Sequence, residues 1–244
     1  MKILLSFYQI VGQFESVLNV RFPLVYEQFA RRISVFANFN ALQLMNVGCV
    51  VPTSFYTKLA VSTVLPIAML LLILLWWFAS HNLGYKTQVQ KNEVKDKATT
   101  FFLTLAYIVF ASVSTNVFDT FNCIQFGEDE NYYLASDQSL VCYTGAHKLA
   151  QLYATFMIGV YPIGIPAVYF FLLWGQRKEL VKSDRHRNPK LRKLSFLWDN
   201  YEPDLWWFEV FECFRRLMLT GVLVFVEQGT SSQIYLQSWL VFRH

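Results

Sequence analysis

Charge is scarce in this chain. Only 16% of its 244 residues are Asp, Glu, Lys or Arg, against 55% hydrophobic and 18% aromatic, and the mean hydropathy is +0.32. That balance excludes an ordinary soluble domain, in which about 25% of residues are charged. The net charge of +4 points to no nucleic-acid partner and matters less than where the charges lie. Catalytic signatures are missing too. There is no phosphate-cradling glycine loop, no His-Glu-x-x-His and no Gly-x-Ser-x-Gly elbow, and His81, His147, His186 and His244 are scattered. No Cys or His spacing suggests a metal site, so the expectation is a protein that is not an enzyme and carries no metal or cofactor. No Asn-x-Ser/Thr acceptor occurs, so external glycosylation is not expected.

What is present is long apolar runs, and a bilayer core of roughly 30 Å makes a run of about 20 residues the useful unit. The fold class expected is all-α, a polytopic transmembrane bundle of about five to six spans forming one module over residues 1–244. The clearest span is 59–80, uncharged and with Trp76 and Trp77 near one end, where indole rings favour the interface. Residues 98–118, 149–174 and 205–226 follow. Residues 1–20 form a partial span, because Gln9, Gln13 and Glu15 suit a polar interior better than lipid. A signal peptide competes there, but Gln9 breaks the apolar run and no small-x-small cleavage site follows. A last partial span, 234–244, stops at His244 and reads as a helix cut short.

Loop charges set the orientation, since short cytoplasmic loops retain Lys and Arg. Lys86, Lys91, Lys95 and Lys97 precede the 98–118 span, and a basic run from Arg177 to Lys193 follows the 149–174 span. Both are expected inside. The loop between, 119–147, holds Asp119, Glu128, Asp129, Glu130 and Asp137 and no Lys or Arg, so it belongs outside. The partners expected are the lipid bilayer and, at Arg177–Lys193, anionic lipid; the competing reading of that run is a solvated linker that serves as the orientation signal. Arg31 and Arg32 sit in an external segment with aromatics at helical spacing, suited to a surface helix or to a cap on the bundle.

Cys123 and Cys142 flank the acidic loop, and a bridge between them would close about 20 residues and stabilise the fold by about 3 kcal/mol on the chain-entropy account. Cys49 is also placed outside and remains a competitor for either partner. Cys213 reads as an inert packing residue. Within 149–174, Gly159, Pro162, Gly164 and Pro166 predict a kinked or locally unwound helix, because each proline removes a backbone donor. Prolines and glycines are common in membrane helices, so the kink can equally be shape alone.

The 205–226 span carries Glu209, Glu212, Arg215 and Arg216. At about 100° per residue, Glu209, Glu212, Cys213, Arg216 and Thr220 share one face and Phe211, Phe214, Met218, Val222 and Phe225 the other. With the inner boundary at Trp206 and Trp207, Arg216 sits roughly 14 Å deep, where an unpaired Arg costs about 3 kcal/mol or more. Glu212 or Glu209 is the expected partner. The rival reading makes 204–214 an interfacial helix with its charges among headgroups, but the apolar remainder is then too short to span.

Four stretches carry a resemblance: "KILLSFYQIVGQFESVLNVRFP", "YLASDQSLVC", "YPIGIP" and "FLWDNYEPDLWWFEVFECFRRLMLTG". The chain resembles the transient-receptor-potential-like membrane module that follows cysteine-rich, ephrin-receptor-like ectodomains in large surface proteins of protists, oomycetes and algae, and is similar to fungal flavin-carrier proteins. The resemblance implies a multi-helix domain that conducts ions or transports solute, accompanied by an ectodomain and further helices that this chain lacks. The location expected is a plasma membrane or an endomembrane. The alternative is a membrane anchor for an adhesive or sensory ectodomain, in which the four charges are pairs that fix helix packing.

Overall fold

The computed structural model describes residues 54–83, 88–125, 131–182, 186 and 188–221. Spans 1–20 and 234–244, Cys49 and the Arg31–Arg32 segment lie outside them, as does the end of the 205–226 span.

Three helical stretches are long and apolar enough to cross a membrane. The first lies in α1 (Phe55–Leu83), the second in α2 (Gln88–Asp119), and the third runs from Gly145 to Leu180. About five to six spans were expected, and three stand in the described residues. The third run is not one α-helix: α3 (Gly145–Ile158) passes through a π-helical turn, Gly159–Ile163, into α4 (Gly164–Leu180). α2 begins ten residues before the expected span, so Lys91, Lys95 and Lys97 lie on its first turns rather than in a loop. The sequence Gln88–Lys97 has no Gly or Pro to stop a helix, and helical hydrogen bonding continues past the lipid boundary. The short helices α5 (Pro189–Arg192) and α6 (Ser195–Trp198) and a 3₁₀ turn, Pro203–Leu205, precede α7, which begins at Phe208 and is described to Thr220.

The all-α expectation needs correction. Between α2 and α3 stands a three-stranded antiparallel sheet in the order β1 (Cys123–Gln125), β2 (Tyr132–Leu134), β3 (Asp137–Val141). Cys123 pairs with Leu134 and Ile124 with Tyr133, and the register shifts between Tyr133 and Leu134. These strands are three to five residues long, too short for an alternating pattern to declare itself in sequence. They are secured by a disulfide from Cys123 to Cys142, with Cα atoms 6.4 Å apart.

Two compact units make up the chain. Described residues within 54–63, 108–164 and 214–221 belong to one, and those within 64–107 and 165–213 to the other. The first has its core in Phe55, Leu59, Phe110, Val113, Val117, Leu134 and Met157. The second is built on Leu103, Tyr107, Tyr169, Leu173 and Trp198; there Tyr169 Oη donates to the Leu103 carbonyl at 3.0 Å and Trp198 Nε1 to the Leu191 carbonyl at 3.1 Å. Both bonds occupy polar ends of large rings, the condition for burying them.

Candidate functional site

α7 is amphipathic with its faces reversed from the soluble pattern. Glu209 and Arg216 are 0% exposed and Cys213 is buried, whereas Phe211, Phe214 and Met218 are 45%, 52% and 43% exposed. A helix that buries carboxylate and guanidinium while showing aromatics outward is arranged for an apolar surrounding. Glu212 and Arg215 are half-buried beside them. None of the four charged residues is without a partner. In the second unit, Tyr201 Oη donates to Glu209 Oε2 at 2.9 Å. Burial first, and the Glu209 carboxylate second, hold the Tyr201 phenol well above its ordinary pKa. Tyr201 was invisible to periodicity, because the 3₁₀ turn between it and Glu209 breaks the helical count.

The proline- and glycine-rich segment forms a second polar feature, of which Gly159–Gly164 belongs to the first unit. Gly159, Pro162 and Ile163 lie in the π turn, Gly164 follows directly, and Pro166 falls near the start of α4, where it again withholds a backbone donor. Gly164 keeps this approach open: a Cβ would stand 3.0 Å from the Gly159 carbonyl oxygen, a tight contact. The turn delivers Tyr161, whose hydroxyl donates to the Thr63 carbonyl of α1 at 2.6 Å. Thr63 Oγ1 also donates to the Leu59 carbonyl at 2.8 Å and shares a hydrogen bond with Tyr153 Oη at 2.5 Å. Pro66, inside α1, cannot donate to the Ser62 carbonyl, so Tyr161 supports α1 one residue from its own break. Thr63, Tyr153 and Tyr161 were not singled out from sequence; a lone Thr in an apolar run gives no signal.

The sheet that caps α1 is a third feature, also within the first unit. Asp137 Oδ2 accepts from the Phe55 backbone N–H at 3.2 Å, placing a carboxylate at the N-terminus of α1. Asp137 Oδ1 accepts from Ser139 Oγ at 2.6 Å and Ser139 N at 3.2 Å. The Ser139 hydroxyl, opposed by partial burial and aided by both backbone donors, holds this carboxyl below the usual range. Cys123 and Cys142 are joined as expected. His147 stands beside the bridge: the sulfurs of Cys123 and Cys142 and a ring nitrogen of His147 lie within 4.8 Å of one another. The sequence separation of Cys123 from Cys142 hid this, since only the folded hairpin brings His147 beside both.

The basic run after α4 is partly engaged already. Arg177 lies 4.0 Å over the Trp174 ring, Lys182 pairs with Glu179 at 2.7 Å and Arg192 with Asp96 at 3.7 Å. Such exposed pairs are weak and leave the cations open to a headgroup. An apolar groove of about 690 Å³ runs between α1 and α3, lined by Tyr56, Leu59, Ala60, Leu149, Tyr153 and Phe156. No family model, curated protein or solved structure matches this chain.

Proposed function

We propose that this chain is a multi-span module of transient-receptor-potential-like type that moves ions or a small solute across a membrane, with the charged face of α7 as its polar element. The observation that carries this reading is the complete burial of Glu209 and Arg216 on a helix whose opposite face exposes Phe211, Phe214 and Met218. Ionisable groups kept within a membrane domain are costly, and function is the usual reason they are retained. Glu209, Glu212, Arg215 and Arg216 serve as the polar lining or gate. Gly159, Pro162, Gly164 and Pro166 supply the helix break about which the third span bends, with Tyr161 fastened to the Thr63 carbonyl beside it. Buried Ser112, Thr115 and Asn116 on α2 add a polar face suited to the same purpose.

A second reading is favoured by the sheet between α2 and α3. The disulfide-tied sheet and the Asp137 contact to α1 are stiffening devices, which suit an anchor under an external ectodomain. Currents and solute flux recorded from the full-length protein in a reconstituted bilayer separate the two. Glu212 and Arg216 stand four residues apart on one helix, within pairing reach. Arg216→Leu is expected to lower folding yield, and Glu212→Gln with Arg216→Leu to recover part of it. A recovered double variant that conducts nothing, beside a conducting parent, supports the transport reading; a parent that passes neither ion nor solute leaves the anchor.

A further inference from the structure

The apolar groove between α1 and α3 lies within the first unit, and neither reading of the function uses it. Small side chains open it, Ala60 on α1 and Ala146 and Ala150 one turn apart on α3, while Leu149, Leu152 and Phe156 stand exposed along it. From Ala146 to Phe156 it follows α3 for about 15 Å at 1.5 Å per residue. Its volume of about 690 Å³ falls among sites of roughly 300–1,000 Å³ that hold one molecule of drug size. Polar chemistry in the lining is confined to two phenols. Tyr153 Oη shares its hydrogen bond with Thr63 Oγ1, whose own hydrogen goes to the Leu59 carbonyl, so the Tyr153 hydrogen is committed. The Tyr56 hydroxyl, at the start of α1, hydrogen-bonds to none of the described residues. No Lys, Arg, Asp or Glu is among the described residues that line the groove.

We propose that this groove binds one membrane sterol, with the sterol hydroxyl at Tyr56 and its fused rings along Ala60, Ala150, Leu149 and Phe156. The inference holds whether the module transports or anchors, and rests only on α1 and α3 crossing a bilayer. Charge decides against a phospholipid, because its phosphate headgroup wants cationic partners and the lining supplies none. A sterol carries a single hydroxyl at one end of a rigid apolar body, which matches one uncommitted phenol at one end of an apolar groove. Depth agrees as well. Tyr56 stands at the beginning of a stretch, Phe55–Trp76, long and apolar enough to cross a membrane, so its hydroxyl falls at the headgroup level where a sterol hydroxyl also lies. Rigidity favours the same occupant, since fused rings lose little freedom on binding and an acyl chain is ordered bond by bond. The sequence adds a second observation. "VPTSFYTK" at 51–58 and "VCYTGAHK" at 141–148 both fit the short Leu/Val, Tyr, Lys/Arg pattern proposed for sterol contact, and each runs into one of the two helices that border the groove. That pattern is permissive by itself; here the Tyr56 that it names lines the groove.

The test uses the full-length protein in phosphatidylcholine vesicles and a cholesterol analogue that carries a photoreactive diazirine on its rings. Illumination and peptide mapping should place the label on 56–60 and 146–156, and excess unlabelled cholesterol should compete it away; this readout needs no variant. Ala150→Phe fills the groove from a half-buried position and should lower labelling more than about tenfold. Tyr56→Phe removes one hydrogen bond, so cholesterol should compete about two- to tenfold more weakly, whereas cholestane, which has no hydroxyl, should compete as it does in the parent. An intact Cys123–Cys142 bridge and unchanged helicity in both variants make the loss local to the groove. Label confined to other segments, label that cholesterol does not displace, or undiminished labelling in Ala150→Phe overturns the proposal. A diacyl phosphatidylcholine probe that labels the groove and resists cholesterol also overturns it and assigns the groove to acyl chains; no label from either probe overturns it in favour of a covering protein segment.

Discussion

At the scale of single residues, the polar side chains of this fold act on backbone termini and breaks. Asp137 is the clearest case, because it places charge where α1 begins and its first N–H groups lack helical acceptors. Asp137→Asn keeps an acceptor and removes the charge, so a loss of about 0.3–1 kcal/mol is expected, the smaller end reflecting solvent screening. The pH dependence has a definite sign. The folded pKa is depressed below the unfolded value of about 3.9, so the stabilisation is fully present above that value and is lost as pH falls through the folded one. Unfolding curves of the parent and Asp137→Asn should therefore differ at neutral pH and converge in acid; a gap that persists in acid would assign the effect to packing. Tyr161 acts similarly on a helix interior. Tyr161→Phe removes the donor to the Thr63 carbonyl and should cost about 1 kcal/mol by thermal unfolding in detergent. An unchanged midpoint would mean that the α1 ladder alone satisfies the Thr63 carbonyl.

At the scale of elements, two close approaches decide how helices meet within the first unit. Gly221, immediately after α7, lies against the Phe118 ring near the end of α2, so close that a Cβ would overlap ring carbons. Aromatic carbon cannot yield that far without the helix ends separating. Gly221→Ala should therefore cost about 1–3 kcal/mol, and Phe118→Leu in the same chain should restore part of the loss. Independent, additive effects of the two substitutions would show that the ends do not meet. Gly164 makes the second approach, on the Gly159 carbonyl, and keeps the π turn compact. The π turn explains how one apolar run of 36 residues, too long for a single straight crossing of about 20, carries Pro162 without ending as a helix.

At the scale of the whole molecule, the distribution of charge along the chain predicts sidedness. Lys91, Lys95 and Lys97 open α2, and Arg177 and Lys178 close α4, while the sheet and Asp137 lie between the two helical runs. A tag inserted near Lys190 should be reachable only from the cytoplasm and one near Glu130 only from the opposite side. Labelling of both from one side would overturn the assignment of spans.

The sequence by itself determined that the chain holds stretches long and apolar enough to cross a membrane, because hydropathy over about 20 residues is a local property that no folding partner changes. It also determined the division of α7 into two faces, since Glu209, Cys213 and Arg216 recur at the helical period, and the break near Gly159–Gly164, since proline acts on its own backbone. The Cys123–Cys142 pairing was legible in part, with Cys49 in competition. Only the tertiary structure decided what long-range contacts fix: the three-stranded sheet, the Asp137 carboxylate on Phe55, Tyr201 on Glu209, Tyr161 on Thr63 and His147 beside the bridge. Each of these joins residues separated by a turn or by tens of positions, where pairing depends on which backbone ends the fold leaves within hydrogen-bond reach and no periodicity encodes it.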